Sequence, residues 1–169
     1  MGAWDTIRNT IAAEFSDITD LEHLTRLLVR LGLAALLGGL LGLQRERAGK
    51  EAGIRTHMLV AAGSALVVFV PLHSGMDSEG LSRVLQGLLA GVGFLCAGSI
   101  LKLPTEEHVR GLTTAAGIWM TSAIGMAAGL GREVTAIVST LLVLGILSLI
   151  GPIRRLGLRH DEPDASRED

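Results

Sequence analysis

Polar and charged residues cluster along this chain, and between the clusters lie four runs without Asp, Glu, Lys or Arg: Thr56 to Met76, Val84 to Leu101, Gly111 to Gly131 and Val134 to Ile153. A helix needs about 20 apolar residues to cross the roughly 30 Å hydrocarbon core of a bilayer, and each run has about that length. The pattern predicts a polytopic membrane protein. A further span is predicted ahead of these, over Leu24 to Leu43. Its uncharged part, Leu31 to Leu43, is too short to cross alone, so Arg26 and Arg30 must lie inside the helix near one end. Arg26 reads as an interfacial anchor. Arg30 lies about 6 Å deeper at ~1.5 Å of rise per residue, which points to a buried partner or a functional role, with Asp20 and Glu22 nearest in sequence.

The ends of the chain differ from the middle. Residues 1–20 hold Asp5, Arg8, Glu14, Asp17 and Asp20 and no continuous apolar core, so no cleavable signal peptide is expected. Trp4, Ile7, Ile11, Phe15 and Ile18 recur every three or four residues, which predicts a helix with one apolar stripe. Such a helix can lie in the membrane interface or pack on the bundle, and a frayed tail is the third reading. The tail from His160 to Asp169 is short and charged and reads as disordered. The expected organisation is an amphipathic segment over 1–22, a transmembrane domain over 23–155 and a polar tail over 156–169. The fold class is all-α: a bundle of about five spans preceded by an amphipathic helix.

Helix packing is written in the small residues. Lipid supplies no hydrophobic force between helices, so residues that let backbones approach mark the contacts. Ala34, Gly38 and Gly42 form such a stripe in the first span, Gly87 and Gly91 start one in the third, and Gly117, Thr121, Gly125 and Gly129 form the clearest one in the fourth. The same stripes could serve a homodimer. Composition fits: 22 glycines, no Tyr and only 19% charged residues. A net charge of −2 argues against a nucleic-acid partner and against a polybasic surface binder. Cys96 is the single cysteine, which excludes an intramolecular disulfide and a Cys-based zinc cluster.

Basic residues also indicate an orientation, because cytoplasmic connectors are usually richer in Lys and Arg. Five spans place Arg45, Arg47, Lys50, Arg55, Lys102, Arg110, Arg154, Arg155, Arg159 and Arg167 on one side and Arg8, Arg26, Arg30, Arg83 and Arg132 on the other. Ten against five predicts an external N-terminus and a cytoplasmic C-terminus.

The densest polar cluster, from Gln44 through Arg45, Glu46, Arg47, Lys50, Glu51 and Arg55 to Thr56 and His57, joins the first two predicted spans. Its order resembles the signature of the MgtC/SapB family of bacterial membrane proteins, close to E-R-E followed by K-P-A-G-L-R-T-H. The likeness continues from about Arg30 to Ile150. Ser82, Arg83, Val84 and Gln86 lead into Gly91, Val92, Gly93, Phe94, Leu95, Cys96, Ala97 and Gly98, similar to the family's G-I-G-F-L-G-A-G. Val109, Arg110, Gly111, Leu112, Thr113, Thr114, Ala115 and Ala116 match V-R-G-L-T-T-A-A, with Trp119, Ile124, Gly125, Gly129 and Gly131 behind them. Gln44 replaces the usual Glu, Glu51 the usual Pro and Cys96 the usual Gly, and no Asp precedes Ser82. The soluble C-terminal domain of the virulence-associated members has no counterpart in this sequence.

The resemblance implies a bacterial inner-membrane protein linked to magnesium homeostasis and adaptation to low Mg2+, in some members through inhibition of the F-type ATP synthase. It implies functional positions at Arg45, Glu46, Arg55, Thr56, His57, Arg83, Gly91, Gly93, Gly98, Arg110, Thr113 and Thr114. Two mechanisms follow. The first is regulation of a membrane partner, with cytoplasmic arginines as contact points that could also anchor anionic lipid. The second is a Mg2+ transporter or channel. Mg2+ favours oxygen ligands, normally with one or two carboxylates, yet the last four predicted spans hold no Asp or Glu. A pathway would then need backbone carbonyls at a glycine-rich break, with Gly91 to Gly98 as its place. Enzyme chemistry is not expected: Ser64 lies seven residues after His57, about 10 Å along a helix, too far for a nucleophile–base contact. His57 is expected to be hydrogen-bonded and to fix the start of the second span near Glu46, and Thr113 and Thr114 to cap the fourth or bond to the backbone at its start. No cofactor is expected, with Mg2+ as ligand or transported ion left open.

Overall fold

The computed structural model describes residues 2–14, 20–100 and 110–157, with side chains through residue 149. It is helical throughout: α1 (Ala3–Glu14), α2 (Leu21–Arg47), α3 (Ile54–His73), α4 (Ser78–Ser99), α5 (Leu112–Gly129) and α6 (Glu133–Gly157). The five long helices coincide with the five predicted spans. Helices α2, α3 and α4 are long and apolar enough to cross a membrane, and α6 is apolar over Glu133–Leu149. Phe15, Ile18, the connector 101–109 with Lys102, Glu106 and Glu107, and the tail 158–169 lie outside the described residues.

Local chemistry explains where the helices start and stop. Asp20 caps α2 by accepting the Glu22 N–H at 3.0 Å, and Asp77 caps α4 by accepting the Gly80 N–H at 2.8 Å. At the far end of α2 the Lys50 N–H returns to the Arg45 carbonyl and the Gly49 N–H to the Glu46 carbonyl, with Gly49 left-handed at φ 66°. That is a Schellman stop, which requires a residue tolerant of positive φ. Residues Gln44 to Arg47 therefore belong to the last turn of α2, not to the connector, which shrinks to 48–53. The same device ends α5, where the Arg132 N–H reaches the Ala127 carbonyl around Gly131.

At the centre α3 runs between α2 and α5. Ala34, Leu37 and Leu41 of α2, Ala61 and Ala65 of α3, Ile124 and Ala128 of α5, and Ala136 and Val143 of α6 form one buried core. Two glycine stripes seat α3. A Cβ at Gly38 would stand 2.5 Å from the His57 carbonyl oxygen and one at Gly42 2.6 Å from the Ile54 Cα; Gly125 and Gly129 meet the backbone of Ala61 and Ala65 in the same way. The packing read from the first and fourth spans is thus present.

The third span departs from expectation. Helix α4 packs on α5 and α3 through Leu88, Val92 and Cys96, and its glycines Gly87, Gly91, Gly93 and Gly98 have open space around them. Phe94 beside them is 82% exposed. The Gly87–Gly91 stripe therefore faces away from the bundle, because the heavier edge of α4, not its glycine edge, fills the groove beside α5. Helix α1 packs on no other described helix, and Trp4, Ile7 and Ile11 are exposed. That arrangement fits an interfacial helix and not one packed on the bundle.

Candidate functional site

One end of the bundle gathers the C-terminal turn of α2, the N-terminal turns of α3 and α5 and the C-terminus of α4. Arg45, Glu46, Arg55, Thr56, His57, Arg110, Thr113 and Thr114 all fall at this end. Arg83 falls at the opposite end, where it pairs with Glu79 on its own helix. Gly91, Gly93 and Gly98 of α4 have open space around them and are not drawn into the cluster. Helix α4 is also unbroken from Ser78 to Ser99, so the carbonyls from Gly91 to Leu95 are used within the helix and no break releases them.

Within the cluster Arg45, His57 and Thr114 are the buried members, and Arg45 and His57 are 4% and 1% exposed. The one-turn spacing Ala34, Leu37, Leu41, Arg45 carries the guanidinium inward with the apolar stripe of α2. His57, in the first turn of α3, faces α5, where its Nδ1 lies 2.7 Å from Thr121 Oγ1. Thr121 donates its own proton to the Gly117 carbonyl at 2.9 Å. A hydroxyl has one proton to give, so Thr121 accepts from His57 and the imidazole proton is assigned to Nδ1. The other ring nitrogen, Nε2, is buried and makes no hydrogen bond of standard geometry among the described residues, while the ring also interacts with the backbone of Ala52.

Arg45 Nε and Nη2 are both buried and make no hydrogen bond among the described residues. These two nitrogens form one edge of the guanidinium, the fork that binds a carboxylate or phosphate through two parallel bonds. Arginine keeps its charge in proteins, and no carboxylate among the described residues pairs with it: Glu22 binds Arg26, Glu79 binds Arg83 and Glu133 approaches Arg30. Glu46, one residue on, turns the other way and accepts the Ile54 N–H at 3.1 Å, so it caps α3.

Three sequence expectations are corrected here. His57 is tied to Thr121 and not to Glu46, because it points across to α5 while Glu46 serves the backbone. Helix α5 is capped by Gly111, left-handed at φ 93°, and no side chain caps it, so Thr113 and Thr114 do not serve there. Arg30 takes neither Asp20 nor Glu22; it donates to the Gly129 carbonyl at 3.0 Å, approaches Glu133 at 3.8 Å and lies 5.5 Å over the Phe69 ring. Thr121, read from the sequence as part of a packing stripe, and Ser122, which the sequence reading did not single out and which bonds Ser64 at 2.8 Å, both carry buried polar contacts. Among the described residues no group of three or more His, Cys, Asp or Glu is placed to hold a metal. Glu46 and Glu51 line a cleft of about 430 Å3 with Gly53, Ile54, Arg55 and Thr56.

Comparison with known proteins supplies independent information. A family model described as MgtC family matches residues 31–156. Protein SrpB of Synechococcus elongatus is 42% identical, over 83% of this chain and 90% of its own length. The putative magnesium transporter YhiD of Escherichia coli K12 is 40% identical over 72% of this chain, and Protein MgtC of Salmonella typhimurium 38% over 69%. The matched stretch is 59% of the length of YhiD and 49% of that of this MgtC. No solved structure matches.

Proposed function

The chain belongs to the MgtC family, and from that premise we propose that this membrane protein serves magnesium homeostasis, supporting growth at low Mg2+ by acting on a membrane partner. The names of YhiD and MgtC supply the link to magnesium. The observation that carries the mode of action is the buried and unpaired edge of Arg45. Its Nε and Nη2 are covered by the protein and unpaired among the described residues, so a carboxylate of a partner reaches this fork only when binding moves the covering side chains aside. The F-type ATP synthase is the partner the resemblance names.

Ion conduction finds less support. The continuous α4 offers no carbonyls released by a mid-helix break, and the carboxylates near the cluster, Glu46 and Glu51, sit at helix boundaries and not along a path through the bundle. Enzyme chemistry finds little support either, since the Ser64 hydroxyl is engaged with Ser122 and His57 with Thr121. We place the protein in the bacterial inner membrane with its C-terminus cytoplasmic, so that the Arg45 end faces the cytoplasm, on the distribution of Lys and Arg.

The test is Mg2+ entry into proteoliposomes holding the purified protein and an enclosed indicator, run beside crosslinking in native membranes. Absent flux with an Arg45-dependent crosslink supports the reading. Specific flux that Arg45→Ala abolishes overturns it.

A further inference from the structure

The end of the bundle away from Arg45 holds a cluster of rings that has no part in that reading. His23 lies in the first turn of α2 and His73 is the last residue of α3. Packing of α2 along α3 brings the two together, with ring centres 5.0 Å apart and planes at 78°. Phe69, one turn before His73, completes the group: its ring stacks on His73 at 3.9 Å and tilts against His23 at 5.3 Å. Both histidines are half-buried.

The state of one ring is set by its own helix. His73 Nδ1 lies 2.9 Å from the Phe69 carbonyl, which can only accept, so Nδ1 carries the proton and in the neutral ring Nε2 holds a lone pair. A carbonyl on Nδ1 is a usual outer support of an imidazole that binds metal through Nε2, because it fixes both tautomer and ring orientation. Stacking on Phe69 holds the same ring in place. His23 makes no hydrogen bond among the described residues, so its ring can turn a nitrogen toward its neighbour. Unlike His57 Nε2, neither His73 Nε2 nor a nitrogen of His23 is sealed from solvent without a partner.

The spacing is the one that shared ligation requires. Two imidazoles bound to one ion at ~2.0–2.1 Å have ring centres about 3.2 Å from the ion and, at a tetrahedral angle, about 5 Å from each other. We propose that His23 and His73 form a two-histidine site for a Zn2+-class transition cation, with water in the remaining positions. Imidazole suits such ions, whereas Mg2+ takes oxygen ligands, so the site is distinct from any magnesium chemistry of the protein. Among the described residues no third His, Cys, Asp or Glu joins the pair. The ion is thus held in an open site and exchanges with solution. Charges nearby come in opposite signs, Glu22 with Arg26 and Glu133 near Arg30, and do not as a group repel a dication. On the orientation proposed above, this end meets the external medium.

The experiment is thermal unfolding of the full, tag-free chain in detergent with added metal. About 100 μM Zn2+ should raise the midpoint by about 2–4 °C, and Mg2+ at the same concentration should not. His23→Phe and His73→Phe each keep a ring in the cluster and remove the ligand nitrogen, and each should abolish the shift; His160→Asn should retain it. Electron paramagnetic resonance of the wild-type protein with one equivalent of Cu2+ should show coupling to two imidazole nitrogens, a count that decides the matter even where a variant fails to fold. No shift with Zn2+, an equal shift with Mg2+, a shift retained by either Phe variant, or coupling to fewer than two nitrogens would overturn the proposal and leave the rings as packing between α2 and α3.

Discussion

His57 of α3 and Thr121 of α5 share a buried hydrogen bond of 2.7 Å whose direction is set by the bond from Thr121 to the Gly117 carbonyl. Thr121→Val keeps the shape and removes the acceptor, leaving His57 Nδ1–H buried and unpaired. The expected cost is about 1–3 kcal/mol, read as a lowered midpoint in unfolding of the detergent-solubilised protein. Thr121→Ser restores the hydroxyl and should recover most of the loss.

Glycines on two sides of the bundle should answer oppositely to the same change. Gly129→Ala would set a methyl 2.5 Å from the Ala65 carbonyl oxygen, a backbone atom that cannot turn aside. Separation of α3 from α5 should cost about 1–3 kcal/mol. Gly91→Ala meets nothing within 4 Å and should be neutral or stabilising by up to about 1 kcal/mol, since Ala is the better helix former. Both are measured in the same unfolding assay.

If the unpaired edge of Arg45 is a contact point, charge alone will not replace it. Lysine is a point charge without the two-pronged fork. Arg45→Lys and Arg45→Ala should both fail to restore low-Mg2+ growth to a deletion strain at equal protein level, and Arg55→Ala should fail with them. Full complementation by Arg45→Lys would reduce the role of this residue to its charge.

Arg30 should depend more on a carbonyl and a ring than on its acid. Glu133 lies 3.8 Å away with a half-exposed side chain, and such pairs contribute about 0–1 kcal/mol. Glu133→Gln should therefore change stability little. Arg30→Ala also removes the bond to the Gly129 carbonyl and the packing over Phe69, worth together about 1–3 kcal/mol. A larger loss in Glu133→Gln than in Arg30→Ala would reverse this ranking.

Legibility in the sequence followed the range of the interaction. The five long helices were readable because the bilayer sets a length and charge marks its ends. The ends themselves moved outward where helix continues into charged residues, as at Gln44 to Arg47, since backbone bonding and Gly49, not polarity, stop α2. Glycine spacing identified the close faces of α2 and α5 correctly but could not distinguish them from α4, where the same spacing points away from the bundle. The partners of His57 and Arg30 lie 64 and 99 residues away along the chain. A reading that looks for partners nearby in sequence selects Glu46, Asp20 or Glu22, each of which serves a helix end or a neighbour one turn away.

The glycine seats on either side of α3 have a mechanical consequence. Backbone ridges of Ala61 and Ala65 sit in the notches of α5, and those of His57 and Ile54 in the notches of α2. Sliding α3 by one residue would drive carbonyls against Cβ atoms on both sides at once. Helices α2, α3 and α5 are thereby locked like a toothed block, a stator within the membrane. Helix α4 has no such paired seats; it is held along one edge through Leu88, Val92 and Cys96 and meets α5 backbone to backbone at Ser99 and Gly111.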